Sequence, residues 1–175
     1  MSQPEVWLRG PLHGFHPLVM PVAHSLLQVC EDLARLEQTV TPAQLWARPG
    51  GAASIGFHIR HTAGALDRLL TYARGERLTD AQLVFLAGEE TPGDPPASLG
   101  TLAMGLNATI DRSLEQLRHV VPERVLDARE VGRGRLPSTV IGLLVHAAEH
   151  STRHMGQAIT TARILAGSED PAPRT

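Results

Sequence analysis

Lysine is absent from this 175-residue chain: all 16 of its basic residues are arginines. That excludes a Schiff-base lysine, the lysine of a phosphate-binding loop and any lysine general base. A single cysteine, Cys30, excludes an internal disulfide and a Cys-x-x-Cys metal or redox pair. Aromatic residues make up 3% of the chain, too few for the stacking platforms that hold single-stranded nucleic acid. A formal net charge of −2 offers no basic face to a phosphate backbone. No apolar run approaches the roughly 18–20 residues of a membrane span. The segment Met1 to Glu5 lacks the basic-then-apolar pattern of a secretion signal. The expectation is therefore a cytoplasmic protein with neither nucleic acid nor membrane as a partner. What the sequence does have is histidine, nine in all.

Pro4, Gly10, Pro11, Gly14 and Pro17 mark residues 1–17 as an irregular lead-in. From Leu18 the pattern becomes helical: Leu18, Val22, Leu26, Val29, Leu33, Leu36 and Val40 recur at spacings of three and four. Thr41-Pro42-Ala43-Gln44 and Thr79-Asp80-Ala81-Gln82 read as capping boxes, each opening a short helix. Between them, Ser54 can cap a second long helix with the stripe Ile55, Ile59, Thr62, Leu66, Leu69 and Ala73. Residues 88–96, rich in glycine, proline and acids, form a loop. A third long helix carries Leu99, Leu102, Leu106, Ile110, Ser113, Leu117 and Val121 and stops near Pro122. Residues 122–137 read as a polar connection, and a fourth long helix runs from about Thr139 to Ala166. No strand pattern exceeds about four residues. The prediction is an all-α four-helix bundle domain over residues 18–166, with two short extra helices in the connections and a loose tail at 167–175. Two connections are long enough to cross the bundle, so the topology need not be simple up-and-down.

The fourth helix places His146, His150 and His154 four residues apart in one row. With Leu143 and Thr161 at the centre of its apolar stripe, His150 and His154 lie about 20° to either side and His146 about 60° away. His150 and His154 are therefore predicted to point inward, where an imidazole needs a partner. A backbone group or water could serve, but two histidines at i and i+4 can also share one metal ion. The second helix offers a further ligand in His58 or His61, of which periodicity alone favours His58. Cys30 reads as a structural thiol and Asp67-Arg68 as a surface or interhelix polar pair. Gln157, one turn from His154, is either a packing residue or a support for the site.

The segment Glu149-His150-Ser151-Thr152-Arg153-His154-Met155-Gly156-Gln157 resembles the H-x-x-x-H-x-G-Q pattern of the DinB/YfiT-like superfamily. Upstream, Ser54-Ile55-Gly56-Phe57-His58-Ile59-Arg60-His61 resembles that superfamily's second-helix pattern, a serine or threonine followed seven positions later by a ligand histidine. The resemblance implies a four-helix bundle with one divalent metal on His61, His150 and His154, and so places His61 ahead of His58. It also implies, through relatives that use mycothiol or bacillithiol, a possible low-molecular-weight thiol, and it implies a homodimer. Leu27, Met155 and Ile159 are the apolar positions expected on the outer, pairing face.

Three neutral imidazoles suit zinc or nickel and leave coordination positions open. The expectation is a metal-dependent enzyme of thiol-transfer or hydrolytic chemistry, with no catalytic side chain identifiable from the sequence. The competing expectation is a non-catalytic metal-binding stress-response protein acting as a homodimer. His58 or His146, as a fourth ligand, would close the site and favour that second reading.

Overall fold

The computed structural model describes residues 3–168 and contains four long helices, two short ones and a small β-hairpin. The long helices are α1 (Met20–Glu37), α3 (Ile55–Ala73), α5 (Leu99–Arg118) and α6 (Val140–Ser168). The short ones are α2 (Pro42–Leu45) and α4 (Asp80–Ala87), and both begin in the predicted capping boxes. In each box the threonine oxygen accepts from the glutamine backbone while the glutamine side chain returns to the threonine N–H. Among the described residues, no helix is long and apolar enough to cross a membrane.

The predicted stripes face one core. Leu26, Ile59, Leu106 and Leu144, one from each long helix, are fully buried. Each such side chain contributes roughly 1.5–3 kcal/mol relative to exposure. The packed faces are α1 on α6, α6 on α3, α3 on α5 and α5 on α1. Helices adjacent in the chain, α1 with α3 and α5 with α6, therefore sit across the bundle diagonals. The long connections around α2, around α4 and through residues 119–139 make this possible, so the bundle is not a simple up-and-down one.

The structure departs from the sequence reading in several places, among them the ends of α1 at Glu37 and α5 at Arg118, short of Val40 and Val121. Residues 122–137 are not merely a polar connection: β1 (Ala128–Val131) pairs antiparallel with β2 (Leu136–Thr139), with Ala128 opposite Thr139. The turn between them uses Gly132 and Arg135 at positive φ. The hairpin's strands are four residues long and barely buried, so they leave no alternating pattern in the sequence. The hairpin is held from outside, by Arg129 Nε donating to Ala73 O (2.8 Å) and by Ile141 N donating to Val125 O (2.8 Å). Helix α1 begins at Met20, and Leu18 is exposed. The lead-in contains a 3-10 turn, Val6–Arg9, whose buried Val6 donates to Gln28 on α1. Helix α6 continues through Ser168, beyond the predicted end, and the rest of the expected tail lies outside the described residues. Met155 is buried in the core rather than on an outer face.

Candidate metal centre

The site is made by α3 and α6, which share the most extensive helix contact in the bundle. Ser54 caps α3, its hydroxyl accepting from Phe57 N at 3.1 Å. This fixes the first turns that carry His58 and His61. These two histidines are three residues apart and so project from neighbouring positions on one side of the helix. Both face α6, because α3 is flanked by α5 and α6 and covered by the loop after α4, and is buried well beyond a single stripe. Periodicity and family register thus each picked out a histidine that lies in the interface.

The geometry separates their roles. His61 Nε2 lies 2.9 Å from His150 Nε2, and ligand atoms of His61, His150 and His154 all fall within 4.8 Å of one another. The His61 ring centroid is 5.1 Å from that of His150 and 4.6 Å from that of His154. His58 is more deeply buried and, of the histidines, reaches His154, Nδ1 to Nδ1 at 3.0 Å. Phe57 stacks on His61 at 5.2 Å and 15° between planes, closing one side of the cluster with an apolar face. His146 is exposed beside Glu149, with its Nδ1 3.4 Å from the carboxylate, and stands outside the cluster.

Burial makes His150 and His154 poor bases. It pushes His150 down to about 4, helped by His61 and Arg153, and His154 to about 3, helped by His61 and His150. Burial, then the neighbouring His61, also lowers His58. All three are neutral at physiological pH and have lone pairs available. Arg153 Nη2 reaches His150 Nδ1 at 3.0 Å.

Glu89 joins the site although nothing in the sequence marks it as a candidate. It lies just after α4 and is 3% exposed, with Oε2 2.6 Å from His61 Nδ1 and Oε1 2.5 Å from Arg68 Nη1. Arg68 is accordingly buried in an ion pair behind His61, not in a surface pair with Asp67, which accepts from Gln82 Nε2 instead. Arg60 holds the loop that carries Glu89: it donates to the carbonyls of Gly88, Thr91 and Pro92 and lies 4.9 Å over the Trp46 ring. A glutamate inside a loop of glycines, prolines and acids gives no sequence signal, because nothing periodic marks it as inward.

Other candidates lie elsewhere. Gln157 is exposed on α6, so it is not a support for the site. Cys30 is partly buried on α1, and desolvation pushes its thiol up to about 11, as expected of a structural cysteine.

A profile of the DinB superfamily matches residues 24–158. The chain belongs to the DinB superfamily. No protein of curated function matches it. Among solved structures, a conserved protein from Enterococcus faecalis is similar at 20% identity and a TM-score of 0.65, covering 84% of this chain and 96% of that one. YfiT from Bacillus subtilis is similar at 15% identity and a TM-score of 0.66, covering 90% of this chain and 93% of its own. That protein is described as a probable metal-dependent hydrolase with an unusual four-helix bundle topology. At these identities the likeness speaks for the shared fold.

Proposed function

We propose that this DinB-superfamily protein is a divalent-metal-dependent enzyme whose ion is held by His61, His150 and His154, and that it carries out hydrolysis or thiol-dependent transfer. One observation carries the reading: three imidazoles from two helices converge with ligand atoms within 4.8 Å, and among the described residues no fourth histidine, cysteine or carboxylate joins the group. A structural zinc site has four protein ligands, whereas a catalytic one keeps a position open. All three histidines are partly exposed, so an exogenous molecule can reach them.

The donor set fits zinc or nickel: nitrogen ligands suit both, and the two on α6 need shed no proton near neutral pH. A bound ion supplies Lewis acidity and, through it, a nucleophile at neutral pH. The chain's own residues do the positioning. Ser54 fixes the start of α3, Phe57 shields one face of His61, and the i, i+4 spacing on α6 aligns His150 with His154. A low-molecular-weight thiol is included as a cosubstrate on the strength of family membership.

We propose that the protein also forms a homodimer; of the residues expected on the pairing face, Leu27 and Ile159 are half-buried against the core. Met155 is buried, but α4 exposes Leu83, Val84, Phe85 and Leu86 in succession. A second copy covering that helix would remove the most apolar exposed segment of the described surface.

The test is elemental analysis of protein purified without an affinity tag, followed by thiol-conjugation and hydrolysis screens of the zinc- and nickel-loaded forms. Close to one ion per chain with turnover in either screen is expected. Bound metal with no turnover in any screen would leave the non-catalytic metal-binding alternative standing.

A further inference from the structure

We propose that Glu89 is the positioning residue of the centre: it selects the tautomer of His61 that presents a lone pair at Nε2, and Arg68 fixes which oxygen does so. The inference rests on reading His61 as a ligand, but its central claim concerns a proton and can be tested with no metal present.

A carboxylate can only accept, so at 2.6 Å from Glu89 Oε2 the proton of His61 sits on Nδ1. Nε2 is then bare. A second, independent constraint points the same way. In the metal-free protein the Arg153 guanidinium can only donate, so His150 Nδ1 accepts from it and the His150 proton sits on Nε2, aimed at His61 Nε2 2.9 Å away; ligation by His150 Nε2 then requires the exposed Arg153 to leave Nδ1 and the proton to move there. Both ends of the chain of contacts agree on a lone pair at His61 Nε2.

Arg68 makes the arrangement directional. It donates to the other carboxylate oxygen, Oε1, at 2.5 Å, and both residues are buried. The site is built to admit this pair: a Cβ at Gly64 would come within 2.7 Å of Arg68 Nη1 and collide with the Glu89 carboxylate. Arg60, bonded to carbonyls on both sides of Glu89, holds the loop in register. Partners that accept the distal N–H of a ligand histidine fix its ring and raise its basicity, and losing one typically weakens metal binding 10–100-fold.

Glu89→Gln separates positioning from packing, because it keeps the shape of the side chain. Arg68 still demands an oxygen, so the amide nitrogen is left facing His61 Nδ1 and forces the proton onto Nε2. Long-range 15N–1H spectra of the metal-free protein, with His61 assigned by its loss in His61→Ala, should show the Nδ1–H form in the wild type. The same resonance should show the Nε2–H form in Glu89→Gln. Competition against a chromophoric zinc chelator should then show affinity about 10–100-fold weaker in the variant, and Co(II) absorption bands should shift. A wild-type His61 that carries its proton on Nε2, or a tautomer unchanged in Glu89→Gln, overturns the proposal whether or not metal binds. A wild type with the expected tautomer that takes up no zinc would instead refute the metal-site reading and leave the positioning by Glu89 intact. Should Glu89→Gln prove unfolded by circular dichroism, Arg68→Met supplies the test: with Glu89 free to accept, the His61 tautomer is retained, and its inversion there overturns the proposal.

Discussion

At the scale of single residues, the centre depends on which histidines are neutral and converge. His150→Ala or His154→Ala is expected to remove most bound zinc in equilibrium dialysis. His146→Ala should leave it largely in place, because His146 is exposed and outside the group. A His150→Ala protein that binds as much zinc as the wild type would break the assignment. Burial also reverses part of what an ordinary histidine pKa near 6.5 implies. His150 and His154 sit near 4 and 3 in the folded protein but return to about 6.5 when unfolded. Between those limits the unfolded chain binds more protons than the folded one, so stability falls as pH falls. The thermal midpoint of the metal-free protein should be level above pH 7 with respect to these two groups and should drop as pH goes from about 6.5 towards 4. Replacing both histidines by glutamine should flatten that drop. An equally steep drop in the double variant would assign it to other groups.

At the scale of elements, the long helices were legible because each buries a stripe with a clear period, and α2, α3, α4 and α5 each begin at a side-chain cap. Ser54→Ala removes the cap of α3, the helix that carries His58 and His61, and should cost about 1 kcal/mol in urea denaturation. Gly64→Ala on the same helix should cost more, roughly 1–3 kcal/mol, because the added methyl meets Glu89, Arg68 and Phe85 at contact distances no relaxed side chain tolerates. A Gly64→Ala protein as stable as the wild type would mean that the loop after α4 is not held where the structure places it. The same comparison shows what sequence could not reveal. His150 and His154 were legible from one helix alone, since their angle to Leu143 and Thr161 requires no knowledge of any neighbour. Choosing between His58 and His61 was not legible from periodicity, because α3 is covered on several sides and its stripe has no empty flank. Glu89, Arg68 and the hairpin were illegible for a related reason: their burial and pairing are conferred by elements distant in the chain. Met155 shows the converse error, a position judged outward from the helix it sits on but covered by the packing around α6.

At the scale of the whole molecule, α4 and the metal centre each predict a bulk property. A helix with four successive exposed apolar residues is expected to pair two copies, so sedimentation at micromolar concentration should give about twice the 18.9 kDa of one chain. Val84→Glu, at the most exposed of these positions, should return the monomer, and a wild type that sediments as a single chain would refute the pairing. The proposed metal centre would join α3 to α6, with His61 and His150 89 residues apart in the chain. An ion held across that gap binds the folded chain and not the unfolded one, where the three imidazoles have no fixed relation. Its stabilisation therefore follows mass action: at a free zinc concentration 100 times the dissociation constant, the folded state gains about 2.7 kcal/mol. For a domain of this size that is a rise of about 5–10 °C in thermal midpoint. The rise should continue with the logarithm of zinc concentration and vanish in His150→Ala. A midpoint that rises equally in wild type and variant would mean that zinc acts through exposed histidines such as His146 or His119, and the α3–α6 centre would lose its thermodynamic support.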